Sequence, residues 1–113
     1  MDKLLVDLDH ATLDRVLKPK LLGGWNLHQE SRGLQLDQFV VFSSLSSVFG
    51  HAGQANYAAV NAYLDVHALS QRSFGKAACS LQWPLVGGAG MGAAAAVSGR
   101  KIAGSASILL EDY

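Results

Sequence analysis

The apolar positions of this chain change their spacing along its length, and each change marks an element. Leu4, Leu5 and Leu8, then Leu13, Val16 and Leu17, recur at intervals of three and four. That period predicts helix over most of residues 2–29. Thr12 is placed to cap a second helix beginning near Leu13, with Asp14 in a first turn where the helix dipole favours an acid. Pro19 should kink that helix or restart it. Gly23 and Gly24 weaken it or allow close packing on a neighbour. Leu21, Leu22, Trp25 and Leu27 supply bulk for a core, and residues 30–35 (ESRGLQ) form a polar connection.

The helical period then gives way to an unbroken apolar run, Phe39-Val40-Val41-Phe42. It is too short for a helix and typical of a buried parallel strand, predicted from Gln38 to Phe42. Ser43 and Ser44 end the run, and a loop carrying Gly50 and Gly53 follows. Gln54 to Ser73 contains neither Gly nor Pro and reads as a helix. Nearly every face of it is apolar or small, through Ala58, Ala59, Val60, Ala62, Leu64, Val66, Ala68 and Leu69, so it is expected to be buried. Gly75 ends it. Ala77 to Gln82 is a second short strand, closed by Trp83-Pro84 because proline cannot continue a ladder. Gly87–Gly92 (GGAGMG) reads as a flexible loop, Ala93–Val97 as a weak helix, and Ser107–Leu110 as strand or helix.

This order predicts an α/β fold, part of a Rossmann-like doubly wound parallel sheet. Ligands in such sheets gather beyond the carboxyl ends of the strands. Ser44 would sit there, with Tyr57 and Asn61 one turn apart on the helix that follows. A dinucleotide site also needs a glycine-rich turn after a first strand, with a charged residue about 20 positions on. Nothing upstream of Phe39 supplies one, and GGAGMG follows the wrong element. The phosphate-binding half is therefore expected to be absent from this chain.

Composition narrows the classes. The 113 residues suffice for one small domain, and with half of them hydrophobic the chain is no disordered tail. Lys plus Arg equals Asp plus Glu at 9 each, so no basic field recruits nucleic acid or an anionic membrane. The single cysteine, Cys79, excludes an internal disulfide framework and fits a reducing compartment; in an apolar strand it is expected to be inert. The start, MDKLLVDLDHATLDR, lacks an apolar signal core, so a cytoplasmic location is expected. The uncharged stretch Ala77–Gly99 holds Pro84, five glycines and several polar residues, which argues against a membrane span.

Three stretches then carry a family likeness: LKPKLLGGWNLH at 17–28, FVVFSSLSSVFGHAGQANYAAVNAYLD at 39–65 and SLQWPLVGGAGM at 80–91. The chain resembles the C-terminal half of a ketoreductase domain from a modular polyketide synthase or animal-type fatty acid synthase. Those domains belong to the short-chain dehydrogenase/reductase superfamily. The likeness is strongest over residues 2–92, and the whole chain, 1–113, is read as one partial domain. In that family a tyrosine, a serine thirteen positions earlier, an asparagine four later and an upstream lysine surround the substrate carbonyl. Those positions here are Tyr57, Ser44, Asn61 and Lys20. Ordinary short-chain reductases carry the lysine four after the tyrosine; Asn61 with Lys20 far upstream points to the synthase branch.

The resemblance implies NADPH-dependent reduction of a β-ketoacyl thioester held on an acyl carrier protein. Hydride goes to carbon and a proton to oxygen. A phenol has a reference pKa of about 10, and a nearby cation stabilises the phenolate left behind. In this scheme Tyr57 is the acid and Lys20 tunes it. Ser44 holds the carbonyl in an oxyanion-type contact, and Asn61 positions Lys20 or a relay water. The resemblance also implicates Phe49, Gln54 and Met91 in substrate binding, and Lys20, Tyr57 and Pro84 at the cofactor. For stereochemistry, one subtype has tryptophan where this chain has Phe49. The other has an aspartate eighteen before the lysine, here Asp2, and the pattern leans to the D-configured hydroxyl. Pro84 stands where many members have glycine and should stiffen the entry to the loop that covers substrate. Implied partners are other synthase domains and the missing N-terminal half.

Plainer readings exist for the same residues. A tyrosine on a buried helix is commonly a core residue with a satisfied hydroxyl. Serines after a strand serve as loop formers or caps, Asn61 as a packing residue, and Lys20 as a solvated charge. The joint spacing favours the catalytic set. His10, His28, His51 and His67 show no pairing at metal-ligand spacing, so no metal is expected. Ser44 with His51 or His67 and Asp65 would make a hydrolase triad, but the nucleophile elbow is missing. Met1 falls in mid-domain, which suggests an incomplete gene model or a split gene. The alternative to an active reductase is a truncated, non-catalytic remnant that binds a partner through an exposed sheet edge.

Overall fold

A computed structural model describes residues 3–87 and the short strand at 107–109. Asp2, Met91 and the helix expected at Ala93–Val97 lie outside the described residues. The chain divides into two compact units, 1–82 and 83–113. In the first, a 3₁₀ turn at Leu5–Asp7 leads to helix α1 (His10–Leu17), a π-helical turn (Lys18–Leu22) and helix α2 (Gly23–Ser31). Strand β1 (Phe39–Ser44), the short helix α3 (Ser46–Phe49), helix α4 (Ala55–Ser73) and strand β2 (Ala78–Trp83) follow. Strands β1 and β2 are neighbours in one sheet, and the α4 crossover between them is the βαβ connection of a parallel sheet. In the second unit, β3 (Leu85–Gly87) pairs in parallel with β4 (Ser107–Leu109), Val86 opposite Ile108. The strand alternative is thus the one realised at Ser107.

The N-terminal boundaries differ from the periodicity reading for local reasons. Asp9, not Thr12, caps α1: its Oδ1 accepts the Thr12 backbone N–H at 2.7 Å, and Thr12 lies inside the helix and is buried. Pro19 neither breaks nor simply kinks the chain. It has no N–H, and its ring crowds the carbonyl four residues back; a wider turn relieves that crowding. The Gly23 N–H accordingly reaches the Lys18 carbonyl five residues behind. Gly24 is buried where α2 meets α4, and a Cβ there would stand 3.2 Å from Leu64 Cδ2.

Burial is narrower than the apolar pattern suggested. The apolar core is Val60, Leu64, Ala68 and Ala78. Leu22, Trp25 and Leu27, expected to fill it, are exposed. Helix α4 buries one stripe (Asn56, Val60, Asn61, Leu64, His67 and Ala68) and leaves Val66 and Leu69 in solvent. On β1, Val40 and Phe42 are exposed while Ser43 is buried. Strand β1 also runs two residues beyond Phe42 and carries both serines. Gly50 and Gly53 take positive φ angles of 64° and 78° in the connection to α4, and Gly75, at 75°, ends that helix as expected.

Candidate active site

Helix α4 presents Tyr57, Asn61 and Asp65 at successive turns of one face. Asn61 has no solvent exposure, and each of its polar groups is used. Its Nδ2 donates to the Tyr57 carbonyl at 2.8 Å, its Oδ1 accepts from Lys20 Nζ at 2.5 Å, and its own carbonyl accepts from Ser43 Oγ at 3.2 Å. The side chain is thus fixed on α4 and on the π-helical turn, and the backbone carbonyl of the same residue is tied to β1.

Lys20, from the middle of that turn, is half-buried. Its Nζ donates a second bond to the Phe42 carbonyl at 3.2 Å and lies 5.2 Å from the centre of the Tyr57 ring. That is within range of cation–π attraction. Burial pushes the ammonium below the ordinary lysine value, while the Asp65 carboxylate pulls the other way. An ammonium has three donors, and two are engaged.

Three of the four residues expected around the carbonyl therefore meet: Lys20, Tyr57 and Asn61. Ser44 lies at the end of β1, two residues beyond the carbonyl that receives Lys20. Its Oγ accepts from the Ser46 N–H at 3.2 Å and from Ser46 Oγ at 3.0 Å, leaving its hydroxyl proton for another acceptor. Among the described residues no hydrogen bond joins Ser44 to the other three. Phe49 ends α3 and is exposed, and Gln54 sits half-buried before the first turn of α4. Pro84 lies between β2 and β3, at the beginning of the second unit.

Asp65 is better connected than its sequence context suggested. Its Oδ1 accepts from Ser80 Oγ at 2.6 Å and its Oδ2 from Gln82 Nε2 at 2.8 Å; Gln82 Nε2 also donates to Ser47 Oγ at 3.1 Å. Burial pushes its pKa up, but hydrogen bonds, those from Ser80 and Gln82 among them, outweigh that and hold it below the usual carboxylate range. In the sequence it figured only in the rejected hydrolase triad; its spacing of four and eight from Asn61 and Tyr57 was the available signal. Its bound partners are Ser80 and Gln82, not a histidine. His28 and His67 approach with ring centres 5.0 Å apart, within a cluster containing Trp25, Phe39 and Tyr63. Among the described residues no group of three or more His, Cys, Asp or Glu could hold a metal ion, and no helix is long and apolar enough to cross a membrane. Cys79 lies on β2 with an exposed side chain.

Residues 1–88 match the KR domain family. The spectinabilin polyketide synthase system protein NorB of Streptomyces orinoci is 46% identical over 94 residues, which cover 83% of this chain and 4% of that protein. The low-reducing polyketide synthase drtA of Aspergillus calidoustus is 47% identical over 83 residues, 72% of this chain and 4% of that synthase. Among solved structures, an A1-type ketoreductase superposes with a TM-score of 0.81 at 40% identity, over 88% of this chain and 21% of that one. A structure of A-type ketoreductases from modular polyketide synthase gives 0.78 at 43% identity, over 81% and 19%. The chain thus spans about a fifth of those ketoreductase structures and a few per cent of the synthases. By its family match and the similarity of these relatives, the chain belongs to the ketoreductase domain family of polyketide synthases.

Proposed function

We propose that this chain forms the proton-delivering side of a β-ketoacyl reductase, working on a thioester carried by an acyl carrier protein within a synthase. The observation that carries this reading is the Lys20–Asn61–Tyr57 cluster, in which a half-buried ammonium lies against the tyrosine ring and is fixed by a fully enclosed asparagine. Tyr57 Oη gives its proton to the substrate oxygen as the carbonyl carbon is reduced. The cation beside the ring stabilises the phenolate that remains. Ser44, with its proton unspent, donates to the same oxygen as negative charge gathers there. Asn61 keeps Lys20 aimed, and it leaves one ammonium donor for a further acceptor.

NADPH would supply the hydride when bound. The residues present fit one end of it: the spare donor of Lys20 suits a ribose hydroxyl, with Tyr57 beside it, and Pro84 is assigned to the cofactor by family likeness alone. Among the described residues no glycine-rich turn suits the phosphates, and that part of the site is assigned to other residues of the reductase. The carrier protein, neighbouring synthase domains, a cytoplasmic setting, the extent of the domain over 1–113 and the lean to a D-configured product from Asp2 belong to the same reading, as do the substrate roles of Phe49, Gln54 and Met91.

The test is turnover by the natural polypeptide that contains this chain, given NADPH and a β-ketoacyl thioester of N-acetylcysteamine. Consumption of NADPH with formation of the β-hydroxyacyl thioester is expected. Binding of the cofactor without reduction of any β-ketoacyl chain would instead favour the non-catalytic alternative.

A further inference from the structure

We infer that Asp65 is a positioning residue for the Lys20–Asn61–Tyr57 cluster, fastening the active face of α4 to β2 and, through Gln82, to α3, the helix that follows Ser44. The inference rests on the reductase reading for its effect on turnover, but not for its geometry.

Asp65 continues the face of α4 that holds Tyr57 and Asn61, one turn further on. Both of its oxygens are taken by donors on β2, Ser80 Oγ at 2.6 Å and Gln82 Nε2 at 2.8 Å. Gln82 also holds Ser47 Oγ at 3.1 Å, on the helix that begins just after Ser44. One carboxylate thus ties three elements that otherwise meet only through packing. A hydrogen bond to a charged group contributes more than a neutral one, and two of them fix rotation of α4 about its own axis. A small rotation there would carry Tyr57 and Asn61 away from Lys20, whose position is set by a different element.

The carboxylate also acts through space. Its negative charge favours the ammonium form of Lys20, against the burial that disfavours it. The charged and titratable groups around Lys20 are few. Helix α4 contributes Tyr57 and Asp65, β1 contributes a neutral group, the Phe42 carbonyl, and on Lys20's own segment Lys18 is paired with Asp14 at the surface at 2.6 Å. Asp65 is therefore the carboxylate of the described residues that offsets the desolvation of Lys20 without touching it.

The experiment is a carbon-13 titration of the lysine side chains in the full 113-residue chain, Lys20 being assigned from its loss in Lys20→Arg. In Asp65→Asn the Lys20 midpoint should fall by about half a pH unit or more, while Lys3, Lys18 and Lys76 stay where they are. An unchanged Lys20 midpoint in the folded variant overturns the inference. Should Asp65→Asn not fold, the unaltered chain reads the same coupling: the Lys20 Cε resonance should step as pH falls through the titration of Asp65, and a flat resonance there is equally contrary. Neither measurement needs turnover, so a failure of the reductase reading shows separately, in the reduction assay of the unaltered polypeptide. In that polypeptide Asp65→Asn should lower kcat about ten- to a hundredfold with little change in KM.

Discussion

Lys20 Nζ donates to Asn61 Oδ1 at 2.5 Å across 41 positions of sequence. This bond joins the π-helical turn to α4, from a half-buried lysine to a wholly buried asparagine. Truncation at Asn61 leaves a half-buried ammonium without its best acceptor and takes from the Tyr57 carbonyl its side-chain donor. Asn61→Ala should therefore destabilise the fold by about 1–3 kcal/mol, the cost of stranding buried polar partners. The midpoint of urea unfolding measures this; a loss within experimental error would mean that the network contributes nothing to stability.

Lys20 itself should behave in the opposite way. Its burial disfavours charge, so an apolar replacement of similar length relieves that cost while giving up two hydrogen bonds. Lys20→Met should leave stability within about 1 kcal/mol of the parent and lower kcat/KM for carbonyl reduction by about a hundredfold or more. Parallel unfolding and turnover measurements on the polypeptide containing this chain separate the two effects.

Neighbouring glycines should differ in sign. Both Gly23 and Gly24 lie in helix with ordinary helical angles available to any residue. A Cβ on Gly23 meets nothing within 4 Å, whereas one on Gly24 stands 3.2 Å from Leu64 Cδ2. Gly23→Ala should stabilise by about 0.5–1 kcal/mol through the lower entropy of the unfolded chain. Gly24→Ala should lose that gain to crowding, and Gly24→Val should cost about 1–3 kcal/mol by overpacking α2 against α4. Thermal unfolding of the three variants decides the order.

Stability should also depend on pH through His67. It is 7% exposed, its Nε2 has no hydrogen-bond partner among the described residues, and its ring packs with those of Trp25, His28, Phe39 and Tyr63. Burial first, and then the nearby His28, holds it below the ordinary value of 6.5. The unfolded chain thus takes up this proton before the folded one does. The contribution is intact above the unfolded value of 6.5 and is lost as pH falls from there through the lower folded value. His67→Leu should flatten the decline in unfolding free energy between neutral and mildly acidic pH; an unaltered slope would contradict this.

Much of the site was legible because it depends on spacing. The stretch from Phe39 to Ser73 sets β1, α4 and the Tyr57–Asn61 turn by local pattern alone: an apolar run, two glycines, then a segment free of breakers. Lys20 was reachable only through family likeness, since the widened turn at Pro19 that presents it has no period of its own. The four residues of α3 are too short for any period, and the Asp9 cap was hidden because Thr12 is an equally good capping type. Burial was misread for a different reason. Periodicity marks which faces are apolar but not which of them a neighbour covers: Trp25, Leu27, Phe42 and Val66 remain exposed. Asp65 was missed because its partners, Ser80 and Gln82, arrive from a strand 15 and 17 positions on.

The most direct measurement is the rate of carbonyl reduction by Tyr57→Phe in the natural polypeptide that contains this chain, with NADPH and a β-ketoacyl thioester. Removing one hydroxyl leaves the ring and its contact with Lys20 in place. Proton donation from Tyr57 predicts a fall in kcat of about a hundredfold or more, with the fold unchanged by circular dichroism. A variant that retains its kcat within a few-fold would show that the proton comes from elsewhere, and the role assigned to the Lys20–Asn61–Tyr57 cluster would be wrong.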